Sequence, residues 1–433
     1  MIIRPFKSGF IILTGRKIKP NHTMKTKLLI IPGLILLFAF SCEKVPAPGD
    51  KEPKPIAVSE KSKQVISAGN RFGFDIFREI INKEEEDKNL MISPLSIEMA
   101  LSMTYNGAGG DTKKAFEKVL HVDELPLGDL NRSMLELREA LTTVDPKVTM
   151  EIANSIWYRN DFHAEEAFLD VNRKYFDAEV QALDFSDPES KDIINGWVDR
   201  KTHEKIPEII DDIDPSSVMF LINAIYFNGT WKYRFEKENT HPMDFHVTPD
   251  KTVQVDMMNR KGDFPFTNND LFSAVELPYG RGNFSMVFLL PKPGKSVKDI
   301  AQQLTPENWE EWLNAFQTMN DLNIYVPKFT FDYKKKLNDA LITLGLGIAF
   351  SGQADFSGIN PDASLYISEV RHKTFIKVDE EGTEAAAVTS VEIRLTSAGP
   401  EAAFILDRPF LFVIKEKYTN AILFIGRVTE PEK

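Results

Sequence analysis

Hydrophobic residues in the first half of the chain recur with a helical period. After Ser93 and Pro94 they follow at i, i+3, i+4 and i+7, at positions Ile97, Ala100, Leu101 and Thr104. Ser93 suits a helix N-cap, Pro94 suits the first helical turn, and Gly107 stops the pattern. The pattern therefore predicts a helix between Ser93 and Gly107.

The second half of the chain contains short apolar segments bounded by turn residues, and these predict β-strands. They span residues 221–227, 284–290, 322–333, 409–414 and 421–428. Helices first and strands later favour an α+β fold around a large sheet. No internal repeat and no linker follows residue 65, so we expect one domain over residues 66–430.

Residues 380–397 alternate with a period of two, which is typical of a strand with one buried face. One face is uncharged and carries Thr383, Ala385, Ala387, Thr389, Val391 and Ile393. The other holds every charge and carries Glu384, Ala386, Val388, Ser390, Glu392 and Arg394. Gly382 can act as a hinge before this strand. On the pattern alone, an ordinary half-exposed strand or a flexible alanine linker explains the segment equally well.

Composition and charge exclude several classes of function. With 42% hydrophobic and 27% charged residues, the chain is typical of a globular protein. Its net charge is −12, and it is −19 without residues 1–41, which hold seven Lys/Arg and no Asp/Glu. We therefore expect no nucleic-acid partner, because such binding needs a basic surface.

The N-terminus resembles a bacterial lipoprotein signal. Lys25 and Lys27 precede an apolar run, residues 28–40, which is short for a membrane span and suits a signal peptide. Cys42, the single cysteine, stands where a lipid-modified cysteine would follow cleavage, so residues 1–41 would be the signal peptide. Met24 is a candidate for the true start. Simple secretion and an uncleaved anchor are the alternatives.

A proline-containing polar segment, residues 42–65, follows and would tether the domain to a membrane. The protein would then cross the inner membrane and remain lipid-anchored at the periplasmic or outer cell surface. With Cys42 acylated no free thiol would remain, so disulfides and cysteine–metal sites are excluded.

The residues offer no support for an enzyme. None of the seven histidines lies in an HxxxH or HExxH pair, and no GxSxG motif is present, so we expect no metal, no cofactor and no catalytic residue. Residues 106–113 look like a phosphate loop but lack its spacing. We interpret them as a glycine helix stop, with Asp111 or Thr112 capping the next helix.

The segment at residues 378–387 reads Val-Asp-Glu-Glu-Gly-Thr-Glu-Ala-Ala-Ala and resembles the reactive-loop hinge of inhibitory serpins. Further motifs follow in the order of that family and cover nearly all of residues 66–430. They are the NxxxSPLS segment at 89–96, the GAxGxT turn at 107–112, the NAIYFxGxW strand at 223–231, ELPY at 276–279, VPKF at 326–329, DFSG at 355–358, His372, RPF at 408–410 and FIGRV at 424–428.

The resemblance implies the serpin fold, with three β-sheets, about nine helices and an exposed reactive-centre loop at residues 380–403. A target protease would cut this loop, remain attached to it, and be carried across the molecule as the loop inserts into the main sheet; serpin loop insertion is a known case of strand addition. The matching hinge residues are Glu380, Glu381, Gly382, Thr383, Glu384, Ala385, Ala386 and Ala387.

The resemblance also assigns residues beneath the opening sheet. Ser93, Ser96, Asn223 and His372 match the polar shutter cluster, and Trp231 matches the breach where insertion begins. Lys328 matches the partner of Glu380 in a hinge ion pair. As isolated residues, His372 and Trp231 would more often be ordinary core residues.

Counting from Gly382 in the manner of the family places the scissile bond between Thr396 and Ser397. The bonds after Leu395 and Arg394 are alternatives. Thr, Leu or Arg before the bond corresponds to elastase-, chymotrypsin- or trypsin-like targets, which would be serine proteases, with cysteine proteases as a further class. A monomer is expected.

Two other functions fit parts of the sequence. A non-inhibitory serpin that acts as a carrier or chaperone would share the fold, since a fold does not fix an activity. A surface lipoprotein that binds sugars or peptides would explain the tether and the acidity, but it would leave the hinge unexplained.

Overall fold

The helix predicted after Ser93 is confirmed and lies at the centre of the protein. The computed structural model describes residues 52–214, 216–383 and 402–432, and the helix runs Pro94–Tyr105. The Ser93 side chain accepts a hydrogen bond from the Ser96 N–H. Eleven of the twelve helical residues are buried, so the core is built around this helix.

The described residues contain nine α-helices and fifteen strands. The helices are α1 Glu60–Lys83, α2 Pro94–Tyr105, α3 Gly110–Val119, α4 Leu127–Thr143, α5 Glu166–Phe176, α6 Glu189–Lys201, α7 Val297–Gln302, α8 Pro306–Asn314 and α9 Asn338–Leu341. The strands are β1 Leu90–Ile92, β2 Val148–Arg159, β3 Ala178–Leu183, β4 Met219–Thr230, β5 His241–Thr248, β6 Lys251–Asn268, β7 Phe272–Tyr279, β8 Phe284–Pro291, β9 Gln317–Pro327, β10 Phe329–Lys336, β11 Arg371–Val378, β12 Gly382–Thr383, β13 Ala403–Ile405, β14 Phe410–Glu416 and β15 Ile422–Val428.

The strands confirm the α+β class. A six-stranded sheet has the order β10-β11-β12-β4-β2-β3, and a nine-stranded sheet has the order β1-β15-β14-β8-β7-β6-β9-β13, with β5 paired to β6. Helix α2 contacts β4 of the first sheet and β15 of the second. The resemblance implied three sheets, but the described strands form two hydrogen-bonded networks. The reason is that β6 is one long strand that continues past a register shift between Gly262 and Phe264. It pairs with β9 on both sides of that shift and with β7 after it, so all these strands count as one sheet.

Two local predictions were wrong. The single strand expected at residues 322–333 is two strands, β9 and β10, because the chain passes from one sheet to the other at Lys328, whose N–H bonds to Asp256 O. The helix expected to be capped by Asp111 or Thr112 already begins at Gly110. Thr112 Oγ1 instead accepts the Asp355 N–H at 2.8 Å, a long-range contact that the local sequence does not indicate.

The described part of the predicted tether lies against the domain. Pro53 is buried, and Asn283 makes two hydrogen bonds to the backbone of Lys54, at 3.0 and 2.7 Å. Helix α1 then begins at Glu60, with Ser59 as its N-cap. The folded domain therefore begins before the predicted boundary at residue 66. In the described part of the chain, no helix combines the length and the apolarity needed to cross a bilayer.

Glu98 is a buried acid in the middle of α2. Its side chain packs against Gly69 of α1, where a Cβ would lie 2.2 Å from a carboxylate oxygen. Oε1 has no hydrogen-bond partner among the described residues, nor has Ser102 Oγ, one turn along the same helix. Burial raises the pKa of Glu98 to about 8, so the carboxyl group is mostly protonated at neutral pH.

We expect Glu98→Gln to stabilise the fold most strongly at alkaline pH. The folded-state pKa of about 8 exceeds the unfolded value of 4.5. The contribution of Glu98 to the free energy of unfolding is therefore complete below pH 4.5 and is lost as the pH rises through 8, by an amount on the order of 3–5 kcal/mol. Urea unfolding at pH 5 and pH 8.5 measures this loss, with Glu139→Gln, an exposed acid of α4, as the control. A wild-type stability that is equal at both pH values would contradict the expectation.

Candidate functional site

The residues of the predicted hinge form a short strand inside the six-stranded sheet. Strand β12 pairs with β4 on one side, with Thr383 opposite Gly229, and with β11 on the other, with Thr383 opposite Val378. It is antiparallel to both neighbours. In the described part of the chain β4 and β11 make no strand pairing with each other. We call the boundary between β4 and β11 the seam, and Thr383 lies at one end of it.

Gly382 allows the chain to enter the seam. Its φ is +153°, and a Cβ at this position would lie 2.1 Å from Gly229 O. A side chain would therefore collide with the backbone of β4. The hinge role that the sequence suggests for Gly382 has a steric basis at this position.

A stacked pair of aromatic residues, Tyr279 and Trp231, holds Thr383 and the residues before it in place. Tyr279 OH lies 2.6 Å from Thr383 Oγ1, and the Tyr279 ring stacks on Trp231 with ring centroids 4.3 Å apart. The Trp231 indole N–H donates to Asp379 O at 2.9 Å, and its backbone N–H donates to Glu381 O at 2.8 Å. Trp231 thus contacts the hinge directly, at the position that the resemblance assigned to the breach.

Three consecutive buried acids precede Gly382, and each pairs with a lysine from a different element. The pairs are Asp379 with Lys377 at 3.2 Å, Glu380 with Lys328 at 3.1 Å, and Glu381 with Lys237 at 3.2 Å. The expected Glu380–Lys328 pair is therefore present as one of three. The lysines are partly exposed, so each pair contributes only about 0–1 kcal/mol and mainly fixes the position of the hinge.

Glu380 has a lowered pKa although its side chain is buried. Burial alone would raise its pKa, but hydrogen bonds from its surroundings, including those of Lys328 and Thr240, outweigh burial and leave the pKa below its usual value. Thr240 Oγ1 donates to Glu380 Oε1 at 2.9 Å, and the Phe235 N–H donates to Glu380 O at 2.9 Å. Lys328 and Thr240 thus hold the Glu380 side chain as a carboxylate, and Phe235 holds its backbone.

The predicted polar cluster is divided by the seam. On the β11 side, His372 Nε2 accepts the Ser93 N–H at 3.0 Å, and Ser93 Oγ accepts the Ser96 N–H at 3.2 Å. On the β4 side, Asn223 Nδ2 donates to Asn154 Oδ1 at 2.7 Å. No hydrogen bond joins the two groups within the described residues: His372 lies on β11 and bonds to the N-cap of α2, whereas Asn223 lies on β4, and β4 and β11 do not pair with each other there.

His372 is neutral at physiological pH. Burial lowers its pKa to about 4, and an Nε2 atom that accepts an N–H cannot carry a proton. Its folded-state pKa is below the unfolded value of 6.5, so its contribution to stability is complete above pH 6.5 and is lost as the pH falls through 4.

Asn223 leaves one polar atom unsatisfied. Its Oδ1 is buried and has no hydrogen-bond partner among the described residues. Buried amide oxygens normally accept a hydrogen bond, since leaving one unpaired costs about 1–3 kcal/mol. The β4 side of the seam therefore presents an acceptor that a residue entering the seam could use.

Sequence reasoning missed several residues of this site. In the sequence Tyr279 stands only in the ELPY motif, and no pattern marks Asn154, Thr240, Lys237 or Lys377. Four of them meet the hinge or the shutter through contacts distant in sequence, and local patterns carry no signal for such contacts. Lys377 is the exception, because it pairs with Asp379 two residues along the chain. Other predicted residues lie outside the described residues: Cys42, Glu384, Ala385, Ala386, Ala387, Arg394, Leu395, Thr396 and Ser397.

Across residues 52–214, 216–383 and 402–432, no group of His, Cys, Asp and Glu side chains could hold a metal ion.

Comparison with known proteins agrees with this geometry. A family model described as Serpin (serine protease inhibitor) matches residues 67–431. A serpin-like protein of Methanosarcina acetivorans is 34% identical over 383 residues, covering 85% of this chain and 88% of that protein. Human neuroserpin is 33% identical over 358 residues, covering 80% of this chain and 87% of neuroserpin. The relatives thus include archaeal and human proteins, and the bacterial lipoprotein signal stays a prediction.

Solved structures give the same result. The thermophilic serpin tengpin in its native state matches with a TM-score of 0.78 at 34% identity, over 88% of this chain and 97% of tengpin. Human thyroxine-binding globulin complexed with thyroxine matches with a TM-score of 0.79 at 27% identity, over 86% of this chain and 100% of that structure. The chain belongs to the serpin family.

Proposed function

We propose that this chain is a protease inhibitor that traps its target when the loop after Thr383 is cut and enters the seam. The position of β12 carries the proposal. Its two residues already lie between β4 and β11, antiparallel to both, so the chain that follows has a defined direction and register. Among the described strands, β12 is the two-residue strand that lies between two much longer ones, β4 and β11.

Extending the register of β12 matches the pattern of the sequence. Ala385 would lie between Phe227 and Ile376, and Ala387 between Ile225 and Thr374. All four neighbours are buried. The uncharged face predicted for residues 383–393 would therefore face the core, and the charged face would face outward. This agreement supports insertion over an ordinary linker, which has no reason to alternate.

The same register places Thr389 between Asn223 and His372. A threonine hydroxyl there would lie beside Asn223 Oδ1, which lacks a partner among the described residues. Insertion would thus supply a donor where the site has a free acceptor. The next residues reach the far end of both strands, since Ser390 would lie opposite Arg371 and Ile393 opposite Met219, the first residues of β11 and β4.

The chemistry needs nothing from this chain except a cleavable bond. The protease nucleophile attacks the carbonyl carbon of Thr396, the C–N bond to Ser397 breaks, and the released amine takes a proton while an acyl-enzyme remains. Cleavage after Leu395 or Arg394 would follow the same course. Thr396 is the thirteenth residue after Thr383, so at about 3.3 Å per residue insertion would move the bound protease by roughly 40 Å. That displacement would distort the active site before water can hydrolyse the ester.

Incubation with a panel of proteases tests the proposal. Elastase-, chymotrypsin-, trypsin- and papain-like enzymes should include at least one that forms a band near the summed mass of the two proteins, stable in denaturing detergent. Cleavage by every enzyme without such a band would contradict inhibition. It would favour a carrier, the role suggested by the thyroxine bound to thyroxine-binding globulin.

A further inference from the structure

Tyr233 is an exposed aromatic residue beside the hinge. It is 43% exposed, which is unusual for a large side chain that carries no charge. It lies in residues 231–235, whose first and last N–H groups donate to Glu381 O and Glu380 O at 2.8 and 2.9 Å. Tyr233 therefore stands on the surface a few residues from the point at which the loop begins.

Two cations hold the Tyr233 ring. The Lys232 ammonium and the Arg260 guanidinium each lie 5.8 Å from the centre of the ring, a position in which a cation is attracted to an aromatic face. Arg260 belongs to β6, and its Nη1 donates to Arg234 O, so the guanidinium is itself fixed. The ring is thus held in place before a partner binds. A partner that packs on it would lose little side-chain entropy in doing so.

Strand β6 leads from Arg260 to the other end of the loop. Arg260 is opposite Ile324 of β9, and Ile324 is opposite Phe404 of β13. Neighbouring strands lie about 4.8 Å apart, so the backbones of β6 and β13 are separated by about 10 Å. The loop begins after Thr383 and returns to the described chain at β13. Contacts therefore lead from one end of the loop, through Tyr233 and Arg260, to the other end.

The surroundings of Tyr233 are basic, although the chain as a whole carries a net charge of −12. Lys232 and Arg234 flank Tyr233 in the sequence, and Arg260 lies against its ring. The Glu236 carboxylate, whose charge acts on Arg260, offsets one of these three cations. We call Lys232, Tyr233, Arg234 and Arg260 the tyrosine patch. Tyrosine and arginine are the residue types that dominate protein–protein contacts, and cations favour an acidic partner.

We propose that the tyrosine patch is a second contact surface for the target protease and binds an acidic region beside the protease active site. The inference rests on the proposed function and adds a determinant of target choice outside the loop. A protease that holds a bond between the two ends of the loop is brought close to the surface between them, and the patch lies in that surface. Opposite charges attract before contact, so the patch should act mainly on the rate of association.

The test compares Tyr233→Ala and Lys232→Gln with the wild-type chain, using a protease identified in the panel. The association rate constant should fall roughly tenfold for Tyr233→Ala, because an anchored tyrosine often dominates a contact. For Lys232→Gln it should fall roughly threefold in about 20 mM salt and equal the wild-type value in about 0.5 M salt, because salt screens the long-range attraction. The ratio of trapped to released protease should stay unchanged in both variants, because neither residue lies in the seam.

Tyr366→Ala and Lys336→Gln are the matched controls. Both residues are exposed. Lys336 is opposite Arg371, the first residue of β11, and Tyr366 shortly precedes Arg371, whereas Thr383 pairs with Val378 at the other end of β11. These controls remove the same side chains far from the loop and should associate at the wild-type rate at both salt concentrations.

The possible failures have different meanings. Equal association rates for both patch variants and the wild type would overturn the inference and leave trapping intact. A lower trapped fraction in Tyr233→Ala without slower association would show that the residue supports the hinge, which would also overturn it. If no protease formed a complex with any of the chains, the proposed function would fail and the inference with it. A protease with alanine in place of its nucleophile measures docking alone, and it should bind Tyr233→Ala roughly tenfold more weakly than the wild type.

Discussion

Replacing Thr383 with arginine is expected to abolish trapping and to leave a chain that proteases cut and release. Thr383 is 4% exposed and hydrogen-bonds to the fully buried Tyr279. Because Thr383 already lies in the seam before cleavage, an arginine there would be expelled from it, and insertion would then have to bury an unpaired charge at a cost of several kcal/mol. Since each 1.4 kcal/mol is a factor of ten, the yield of covalent complex should fall by roughly 100-fold or more.

The control places the same side chain on the other face of the same strand. If the register of β12 continued, Glu384 would face outward beside Asn228 and Lys377, so Glu384→Arg should retain most of the complex. The measurement is the ratio of covalent complex to cleaved product after reaction with a protease identified in the panel. If Thr383→Arg formed as much complex as Glu384→Arg, insertion from Thr383 could not be the trapping step.

Cleavage of the loop is expected to raise the melting temperature of the chain by roughly 10–20 °C. Residues 384–390 would pair with β4 and β11 along their whole length, adding on the order of ten backbone hydrogen bonds at about 1 kcal/mol each. For a domain of this size 1 kcal/mol shifts the melting temperature by about 1–2 °C. A cut in a surface loop that stayed outside the sheet would lower the melting temperature or leave it unchanged.

A proline variant separates insertion from the cut itself. Proline lacks the N–H that a central strand needs, so Ala387→Pro should be cleaved as readily as the wild type but gain little stability. Differential scanning calorimetry before and after limited proteolysis measures both proteins. An equal rise in the two cleaved proteins would show that the stabilisation does not come from a new strand in the seam.

Local sequence patterns predicted the parts of this fold that depend on neighbours along the chain. The capped helix at Ser93 was correct because the cap bond spans three residues, and the hinge role of Gly382 was inferred from backbone freedom alone. The alternation after Thr383 agrees with the register of β12. Each of these features follows from residues a few positions apart.

Features that depend on distant contacts could not be predicted in this way. The polar cluster was expected as one group, but the seam divides Asn223 from Ser93 and His372 because β4 and β11 do not pair with each other in the described chain. Asn283 holds Lys54 across more than two hundred residues, so a segment that looks like a tether lies against the domain.

The buried acid Glu98 is another feature that could not be predicted from the sequence. Glu98 occupies a position in α2 where the helical pattern gives no reason to expect a buried acid, and only the packing of Gly69 against it shows that it is enclosed.

A crystal structure of the chain after cleavage in the loop tests the central claim most directly. The account predicts that residues 384–390 form a strand between β4 and β11, with Thr389 opposite Asn223 and His372 and with Ala385 and Ala387 facing the core. A cleaved chain in which those residues lie outside the sheet, with β4 and β11 joined to each other by hydrogen bonds, would contradict it.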